Sequence, residues 1–212
     1  MKQLMFMVML AVSLKAHAVD YRSNYGFSFQ LPAEWLVLTP AQVQKTYQDE
    51  SLQSMELAFG DRATFEAVLQ KVKAGEVEYF FDRKYSTREL KNNISVQLMP
   101  PRPDTPDQIA KDSCPSLAMS LRGLYGSEVK VASCGIKTLA KVPFVAYEYR
   151  VPSQGINVIQ FEIPFGPKGT LILVGGSNDK GLAHVRVAQT SIGESAAKSI
   201  KNAPNRSLEP TR

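Results

Sequence analysis

Three segments between residues 145 and 174 have the pattern of short strands joined by tight turns, and this pattern constrains the fold more than any other feature. In the first two segments apolar residues occupy alternate positions: Val145, Tyr147, Tyr149 and Val151, then Ile159, Phe161, Ile163 and Phe165. Such alternation is typical of strands with one buried face, and the turn at residues 153–155 predicts a hairpin. Residues 171–174 are apolar throughout, which predicts a central strand covered on both sides. Consecutive strands with tight turns predict an antiparallel sheet.

Amphipathic helices are predicted between and after the strands. Residues 61–74, 105–126 and 182–200 carry apolar residues at helical spacing, and in the second helix these are Ile109, Leu117, Leu121 and Leu124. Pro115 predicts that this second helix is divided in two. Further strands are predicted at 27–31, 34–38, 78–84 and 93–98, and a helix at 39–50. Such helices must bury their apolar faces, so the fold class is predicted to be α+β, with helices covering a mainly antiparallel sheet.

The first 18 residues have the features of a secretory signal peptide. Lys2 gives a positive start, residues 4–14 are apolar, and Ala16-His17-Ala18 has the small-x-small pattern of a cleavage site. The apolar run is shorter than the roughly 20 residues that span a membrane, and no cysteine follows it for lipidation. We expect cleavage between Ala18 and Val19, no transmembrane segment in the mature chain, a folded domain over residues 19–200 and a disordered tail over 201–212. The expected location is the periplasm, or the medium if the source is not Gram-negative.

The net charge of +5 overstates how basic the folded domain is. Two of the positive charges lie in the signal peptide, and the tail adds two more through its residues Lys201, Arg206 and Arg212 against Glu209, so residues 19–200 carry about +1. A nearly neutral domain does not have the basic surface that binds nucleic-acid phosphates. No nucleic-acid partner is predicted.

The mature domain contains two cysteines, Cys114 and Cys134. In an oxidising compartment an even pair at this separation predicts a disulfide, which would contribute roughly 3 kcal/mol through the entropy of the unfolded chain. The alternative is two unrelated buried thiols. The spacing is not Cys-x-x-Cys, which argues against a redox-active pair, and with His184 as the only mature histidine the usual four zinc ligands are incomplete. No metal and no cofactor is predicted.

The sequence matches no known catalytic arrangement. His184 lies in the last predicted helix without a neighbouring serine and carboxylate, and is interpreted as a surface or helix-packing residue. Glu148 and Glu162 occupy polar positions of the predicted hairpin and could approach each other as an acid–base pair. A solvated face that also contains Arg150 and Gln160 would give the same pattern.

Two further motifs are weak. The Ser-x-x-Lys matches at residues 177–180 and 195–198 lack the other elements of the acyl-enzyme signature. The glycine-rich loop at 175–181 lacks the spacing of a phosphate-binding loop and is interpreted as a mobile turn. No catalytic residue is therefore predicted, and the chain is predicted not to be an enzyme.

Residues 25–35, YGFSFQLPAEW, resemble the opening motif Y-G-F-x-F-x-L-P-x-x-W of the PsbP-like superfamily. This superfamily includes the extrinsic PsbP protein of photosystem II, a Ran-GTPase-binding nuclear import factor, periplasmic DcrB lipoproteins and bacterial families of unknown function. The strands at 145–174 and the last helix fit the same plan. The resemblance implies an α/β/α sandwich and a role as a binding module, chaperone-like adaptor or assembly factor, with no catalytic residue to carry over. Because the lipidated cysteine of DcrB is missing, membrane tethering is not implied.

These observations predict an exported, non-catalytic binding or adaptor protein of the bacterial cell envelope, whose partner is an envelope protein or a small ligand. One alternative is a small-ligand or lipid carrier, which would need a large apolar cavity at a sheet face or the sandwich edge. The other is a hydrolase that uses Glu148 or Glu162. No oligomeric state is predicted.

Overall fold

The computed structural model describes residues 18–46, 62–86 and 92–202. Most of the predicted signal peptide (residues 1–17), the segment 52–59 with its mixed strand and helix character, and residues 203–212 of the predicted tail lie outside these ranges. Ala18, the last residue before the predicted cleavage site, is the first residue of a strand, and the last helix continues to Asn202.

The described residues form nine strands and five helices. The strands are β1 (Ala18–Arg22), β2 (Ser28–Pro32), β3 (Trp35–Leu38), β4 (Val77–Asp82), β5 (Asn93–Met99), β6 (Lys130–Leu139), β7 (Val142–Val151), β8 (Ile156–Pro164) and β9 (Thr170–Ser177). The helices are α1 (Pro40–Thr46), α2 (Arg62–Lys73), α3 (Pro106–Ser113), α4 (Leu117–Tyr125) and α5 (Leu182–Asn202). None of these five helices is long and apolar enough to cross a membrane.

Seven strands form one antiparallel sheet in the order β3-β4-β5-β9-β8-β7-β6. The predicted hairpin is β7–β8, in which Tyr147 lies opposite Gln160. β9 is the middle strand and pairs with β5 and β8. The predictions of an antiparallel sheet and of a central strand at residues 171–174 are confirmed.

One face of the sheet is covered by α5 and by a separate β1–β2 hairpin. Phe29 of the hairpin packs edge-on against Phe80 of β4, with ring centroids 5.3 Å apart. Val185 and Ile192 of α5 belong to the same buried cluster. We call this side the α5 face.

The other face is covered by two pairs of helices. α1 and α2 pack on β3 and β4, through side chains that include Val43 and Leu69. α3 and α4 pack on β6 and β7, and we call this side the α3–α4 face. With helices on both faces of an antiparallel sheet, the fold is an α+β protein with the α/β/α layers that the family resemblance implies.

The helix predicted at 105–126 is two helices, with Pro115 between α3 and α4. Thr105 caps α3 by accepting a hydrogen bond from the backbone N–H of Gln108. The predicted apolar stripe is only partly right, because Leu124 is 75% exposed. It lies beside the stripe that Leu117 and Leu121 turn towards the sheet.

The turn that joins β1 to β2 is held to the sheet by a buried carboxylate, Glu78. Its side chain accepts hydrogen bonds from the hydroxyl of Ser23 and from the backbone N–H of Asn24, both at 2.7 Å. Tyr25, in the same turn, donates its hydroxyl to the carbonyl oxygen of Val96 at 3.3 Å. Burial raises the pKa of Glu78, and the two hydrogen bonds from Asn24 and Ser23 offset this only in part.

A carboxyl group whose folded-state pKa is raised stabilises the fold most below its unfolded-state pKa, and this contribution is lost as the pH rises through the folded-state pKa. Glu78→Gln removes the buried charge and keeps hydrogen-bonding groups of similar shape. We therefore expect the variant to melt above the wild type at pH 8, by about 2–4 °C, the shift that about 1 kcal/mol causes in a domain of this size. The difference should vanish near pH 4. Thermal melts across this range measure it, with the exposed Glu128→Gln as the control, and a Glu78→Gln variant that melts below the wild type at pH 8 would contradict the interpretation.

The predicted disulfide is present. It joins Cys114, at the end of α3, to Cys134 of β6, with the two Cα atoms 5.6 Å apart. α3 buries only Ile109, and no residue of α4 is fully buried. The disulfide therefore adds a covalent restraint to two helices that bury few side chains fully.

Replacing both cysteines by alanine should lower the free energy of unfolding by roughly 3 kcal/mol, since the closed loop spans about 20 residues. Hydrogen exchange should accelerate more in α3 and α4 than in α5, because α5 is held by a continuous apolar core. Chemical denaturation and exchange mass spectrometry measure the two effects, and wild-type protein treated with reductant should behave in the same way. An unchanged midpoint, or uniform acceleration across the sheet, would refute the restraining role.

Candidate functional site

His184 lies in the first turn of α5 and contacts segments that are distant in the sequence. Its Nδ1 is 2.9 Å from Oδ2 of the buried Asp82, and its Nε2 is 3.6 Å from Oε1 of Glu34. The ring packs against Trp35 and Tyr85, with centroid distances of 5.6 and 5.4 Å. A catalytic histidine would direct Nε2 at a nucleophile, whereas here it faces a carboxylate. These contacts are those of a helix-packing residue.

The orienting carboxylate of His184 could not be found from the sequence. Asp82 is 102 positions away, at the end of β4, and it is fully buried. Its other oxygen accepts a hydrogen bond from the backbone N–H of Lys84 at 2.9 Å. The pair joins the start of α5 to the edge of the sheet.

Glu148 and Glu162 lie on opposite faces of the sheet and are both largely buried, so they form neither an acid–base pair nor part of one solvated face. The register places Glu148 opposite Ile159, which packs under α5, and Glu162 opposite Val145, which packs under α3 and α4. The apolar rows of β7 and β8 that the sequence shows belong to different faces. Because neighbouring residues of a strand point to opposite faces, Glu148 of β7 lies on the α5 face and Glu162 of β8 lies on the α3–α4 face.

Each of the two glutamates has its own cationic partner. Oε1 of Glu148 accepts hydrogen bonds from Lys137 and Arg186, at 2.8 and 2.7 Å. Burial alone would raise the pKa of Glu148, but these two cations outweigh it and the pKa is lowered. Glu162 accepts a hydrogen bond from Arg102 at 2.9 Å. Both carboxylates are therefore engaged in ion pairs.

The glycine-rich loop at 175–181 is held in place by its neighbours. The backbone N–H of Asn178 donates to Oδ1 of Asn92, and its side-chain amide donates to the carbonyl oxygen of Tyr85, both at 2.8 Å. A Cβ atom on Gly181 would lie 2.0 Å from Nδ2 of Asn92, so only glycine fits there. The loop packs the start of α5 against the segment before β5 and has no phosphate-binding form.

The described residues contain no group of three His, Cys, Asp or Glu side chains placed to bind a metal ion. The two Ser-x-x-Lys matches have different surroundings. Ser177 is fully buried at the end of β9, whereas Ser195 and Lys198 both line an open cavity. This cavity is the candidate functional site.

The cavity, which we call the hairpin cleft, has a volume of about 600 Å³ and lies at one end of the sandwich. Its lining comes from the turn before β2, the turn after β8 and the last turns of α5: Gly26, Phe27, Ser28, Phe165, Gly166, Pro167, Lys168, Ser195, Lys198, Ser199 and Ile200. It is on the α5 face of the sheet.

The floor of the hairpin cleft is aromatic. Phe27 and Phe165 meet edge to face with their ring centroids 6.1 Å apart, and both are more than nine-tenths buried in the main core. Ile200 packs against the same core from α5. The floor is therefore a fixed apolar surface.

The rim of the hairpin cleft carries two lysines. Nζ of Lys168 donates to the carbonyl oxygen of Tyr25 at 3.4 Å and lies 5.5 Å from the centre of the Phe165 ring. Within the described part of the chain, Lys168 has no carboxylate partner. Lys198 lies 3.7 Å from Glu194, and its side chain is 65% exposed. Lys168 thus supplies the positive charge at the rim that no carboxylate of the described residues matches, whereas Lys198 is paired with Glu194.

The sequence alone did not reveal the hairpin cleft, because its lining residues come from three distant segments. Its one local signal is the turn at residues 166–169, which predicts only a reversal of the chain. Gly169 has a φ of 134°, and a Cβ there would lie 2.0 Å from the carbonyl oxygen of Met99. The glycines allow the tight turn that places Lys168 at the rim.

No protein-family profile and no curated protein matches the sequence. Among solved structures, the chain is similar to cyanobacterial PsbP (CyanoP) from Synechocystis sp. PCC 6803, with a TM-score of 0.49 and 11% identity over 85% of this chain and 91% of that chain. It is also similar to PA94, a protein of unknown function from Pseudomonas aeruginosa, with a TM-score of 0.40 and 14% identity over 84% of this chain and 94% of that chain. These similarities concern the fold alone.

Proposed function

We propose that this chain is an exported, non-catalytic binding protein that carries a small amphipathic anion in the hairpin cleft. The observation that supports the proposal is the combination of an aromatic floor and two rim lysines in one cavity of about 600 Å³. Ligand sites in proteins typically have volumes of about 300–1,000 Å³, apolar walls and a few placed polar groups. Of the functions predicted from the sequence, the small-ligand carrier is the one that requires such a cavity.

The floor selects the apolar part of the ligand. A short acyl chain or aromatic group that covers Phe27, Phe165 and Ile200 would be removed from water, and each buried CH₂ group contributes about 0.8 kcal/mol. The floor is already packed in the free protein, so binding would not require the core to be reordered.

The rim selects the charge of the ligand. Lys168 has three donors and uses one on Tyr25, which leaves donors for an acid group above the floor. Lys198 and the hydroxyl of Ser195 lie on the opposite wall. A carboxylate or another monoanionic head group fits between these walls, whereas a cationic head group would meet like charge.

The placement of the titratable residues supports a non-catalytic role. His184 directs both ring nitrogens at carboxylates, and Glu148 and Glu162 are engaged with cations on separate faces. The export part of the proposal rests on the signal-peptide features of the sequence and on the Cys114–Cys134 disulfide, which is typical of proteins outside the cytosol.

The adaptor function predicted from the sequence has no comparable feature among the described residues. The exposed large apolar side chains are spread over β1, β5, β6, α4 and α5. Single exposed apolar residues are ordinary on protein surfaces. The hairpin cleft therefore favours a small ligand over a docked protein.

The proposal can be tested by calorimetric titration with two amphiphiles of equal chain length, decanoate and decyltrimethylammonium, below their aggregation concentrations. We expect decanoate to bind and the cation to bind at least tenfold more weakly. Lys168→Gln should weaken decanoate binding about fivefold to tenfold, as expected for a lost charge-assisted hydrogen bond, and added salt should reduce the wild-type affinity.

Lys71→Gln is the matched control, because Lys71 lies on α2, on the other side of the sheet. Its decanoate affinity should equal that of the wild type. Equal binding of the two amphiphiles, or equal effects of Lys168→Gln and Lys71→Gln, would reject the hairpin cleft as an anion site.

A further inference from the structure

A second cavity lies on the α3–α4 face of the sheet. It has a volume of about 380 Å³ and opens between these two helices and strands β7 and β8. We call it the tyrosine pocket after Tyr147 and Tyr149, which form part of its floor. The hairpin cleft is on the α5 face, so the two cavities are separated by the sheet.

The floor of the tyrosine pocket is a connected set of polar side chains. The carboxylate of Glu162 accepts hydrogen bonds from Arg102 at 2.9 Å and from Gln160 at 3.0 Å. Tyr147 lines the same floor, and Ser113 of α3 lines the pocket beside it. Glu162 is only 6% exposed, so these contacts fix a buried charge at the base of the pocket.

The hydroxyl of Tyr147 remains a hydrogen-bond donor at neutral pH. Burial raises its pKa to about 12, and the neighbouring charge of Glu162 acts in the same direction. The floor therefore contains the neutral hydroxyl of Tyr147 and the guanidinium of Arg102 beside the carboxylate of Glu162.

The wall of the pocket is lined by hydroxyl groups. Ser113 of α3, Ser116 between the helices and Ser120 of α4 line it beside the apolar Leu117 and Leu121, and the hydroxyl of Ser116 donates to the carbonyl oxygen of Ser113. Each serine hydroxyl both donates and accepts hydrogen bonds. The wall thus offers paired donors and acceptors together with apolar surface.

The tyrosine pocket is lined by one cation and two carboxylates, of which only Arg102 and Glu162 form an ion pair. The guanidinium of Arg102 is matched by the carboxylate of Glu162. The carboxylate of Asp112, at the edge, accepts hydrogen bonds from Gln108 at 3.0 Å. The two carboxylates against one guanidinium disfavour an anionic ligand, and the carboxylate without an ion pair, Asp112, is exposed at the edge and not part of the floor.

From this arrangement we propose that the tyrosine pocket is a second binding site, for a neutral polyhydroxylated ligand of the saccharide class. Sugar hydroxyls both donate and accept hydrogen bonds, and sugar rings carry apolar C–H faces. These features complement the serine wall, the Tyr147–Glu162–Arg102 floor and the leucine and tyrosine carbon surface. The volume is at the lower end of the range for small-molecule sites, which suits a mono- or disaccharide.

The test is a two-dimensional NMR titration of the exported protein, with its disulfide intact, using glucose and maltose as probes. We expect shifts confined to residues 113–121, 147–149 and 160–162 at millimolar sugar. Tyr147→Phe should weaken binding about fivefold, the change expected from one lost hydrogen bond. Ser120 is an exposed residue of α4, so Ser120→Leu leaves the core unchanged. The larger leucine side chain should block the pocket at its wall and abolish the chemical-shift changes.

Tyr21→Phe is the matched control. Tyr21 lies on β1, on the α5 face of the sheet, and does not line the tyrosine pocket, so the sugar affinity of this variant should be that of the wild type. Shifts with phosphate or putrescine but not with the sugars would overturn the proposal, as would sugar shifts that persist unchanged in both Tyr147→Phe and Ser120→Leu. Decanoate binding should be unaffected by these variants, which separates this proposal from that for the hairpin cleft.

Discussion

The burial of both faces of one antiparallel sheet is the constraint on which the rest of the structure depends. Alternate residues of β7 and β8 point to opposite faces, so Val145 packs under α3 and α4 while Phe161 packs under α5. A slip of one residue in either strand would exchange the two sets. β9 contributes buried residues from its central position, and its pairing with β5 and β8 joins the two halves of the sheet.

The two cavities follow from the way each face is covered. On the α5 face, the turn before β2, the turn after β8 and the end of α5 leave the hairpin cleft between them. On the other face, α3 and α4 contribute only one fully buried side chain, that of Ile109, so a polar pocket remains beneath them and the disulfide adds a covalent restraint. The two cavities also differ in charge. The hairpin cleft has lysines at its rim, whereas the tyrosine pocket contains the Arg102–Glu162 ion pair.

Local patterns predicted the elements well. The alternation in β7 and β8, the apolar run of β9, the helical spacing of α2 and α5 and the break at Pro115 all act over a few residues, and each was read from the sequence alone. The hypothesis of a Glu148–Glu162 pair failed because a period of two shows which residues of one strand share a face. The period does not show which face of the sheet those residues occupy. In a sheet with one solvated face the apolar residues mark the buried face, but here both faces are buried and this guide is lost.

The sequence by itself determined the helices, the cysteine pair and most of the strands, with β1 and β6 as the exceptions, because these depend on backbone geometry and on the spacing of neighbouring side chains. Only the tertiary structure decided which distant groups meet. Asp82 orients His184 across 102 positions, and Lys168 meets Phe27 and Ile200 at the hairpin cleft. Such contacts are set by register and helix docking, which depend on the packing of the whole core, and no short segment of the chain carries that information.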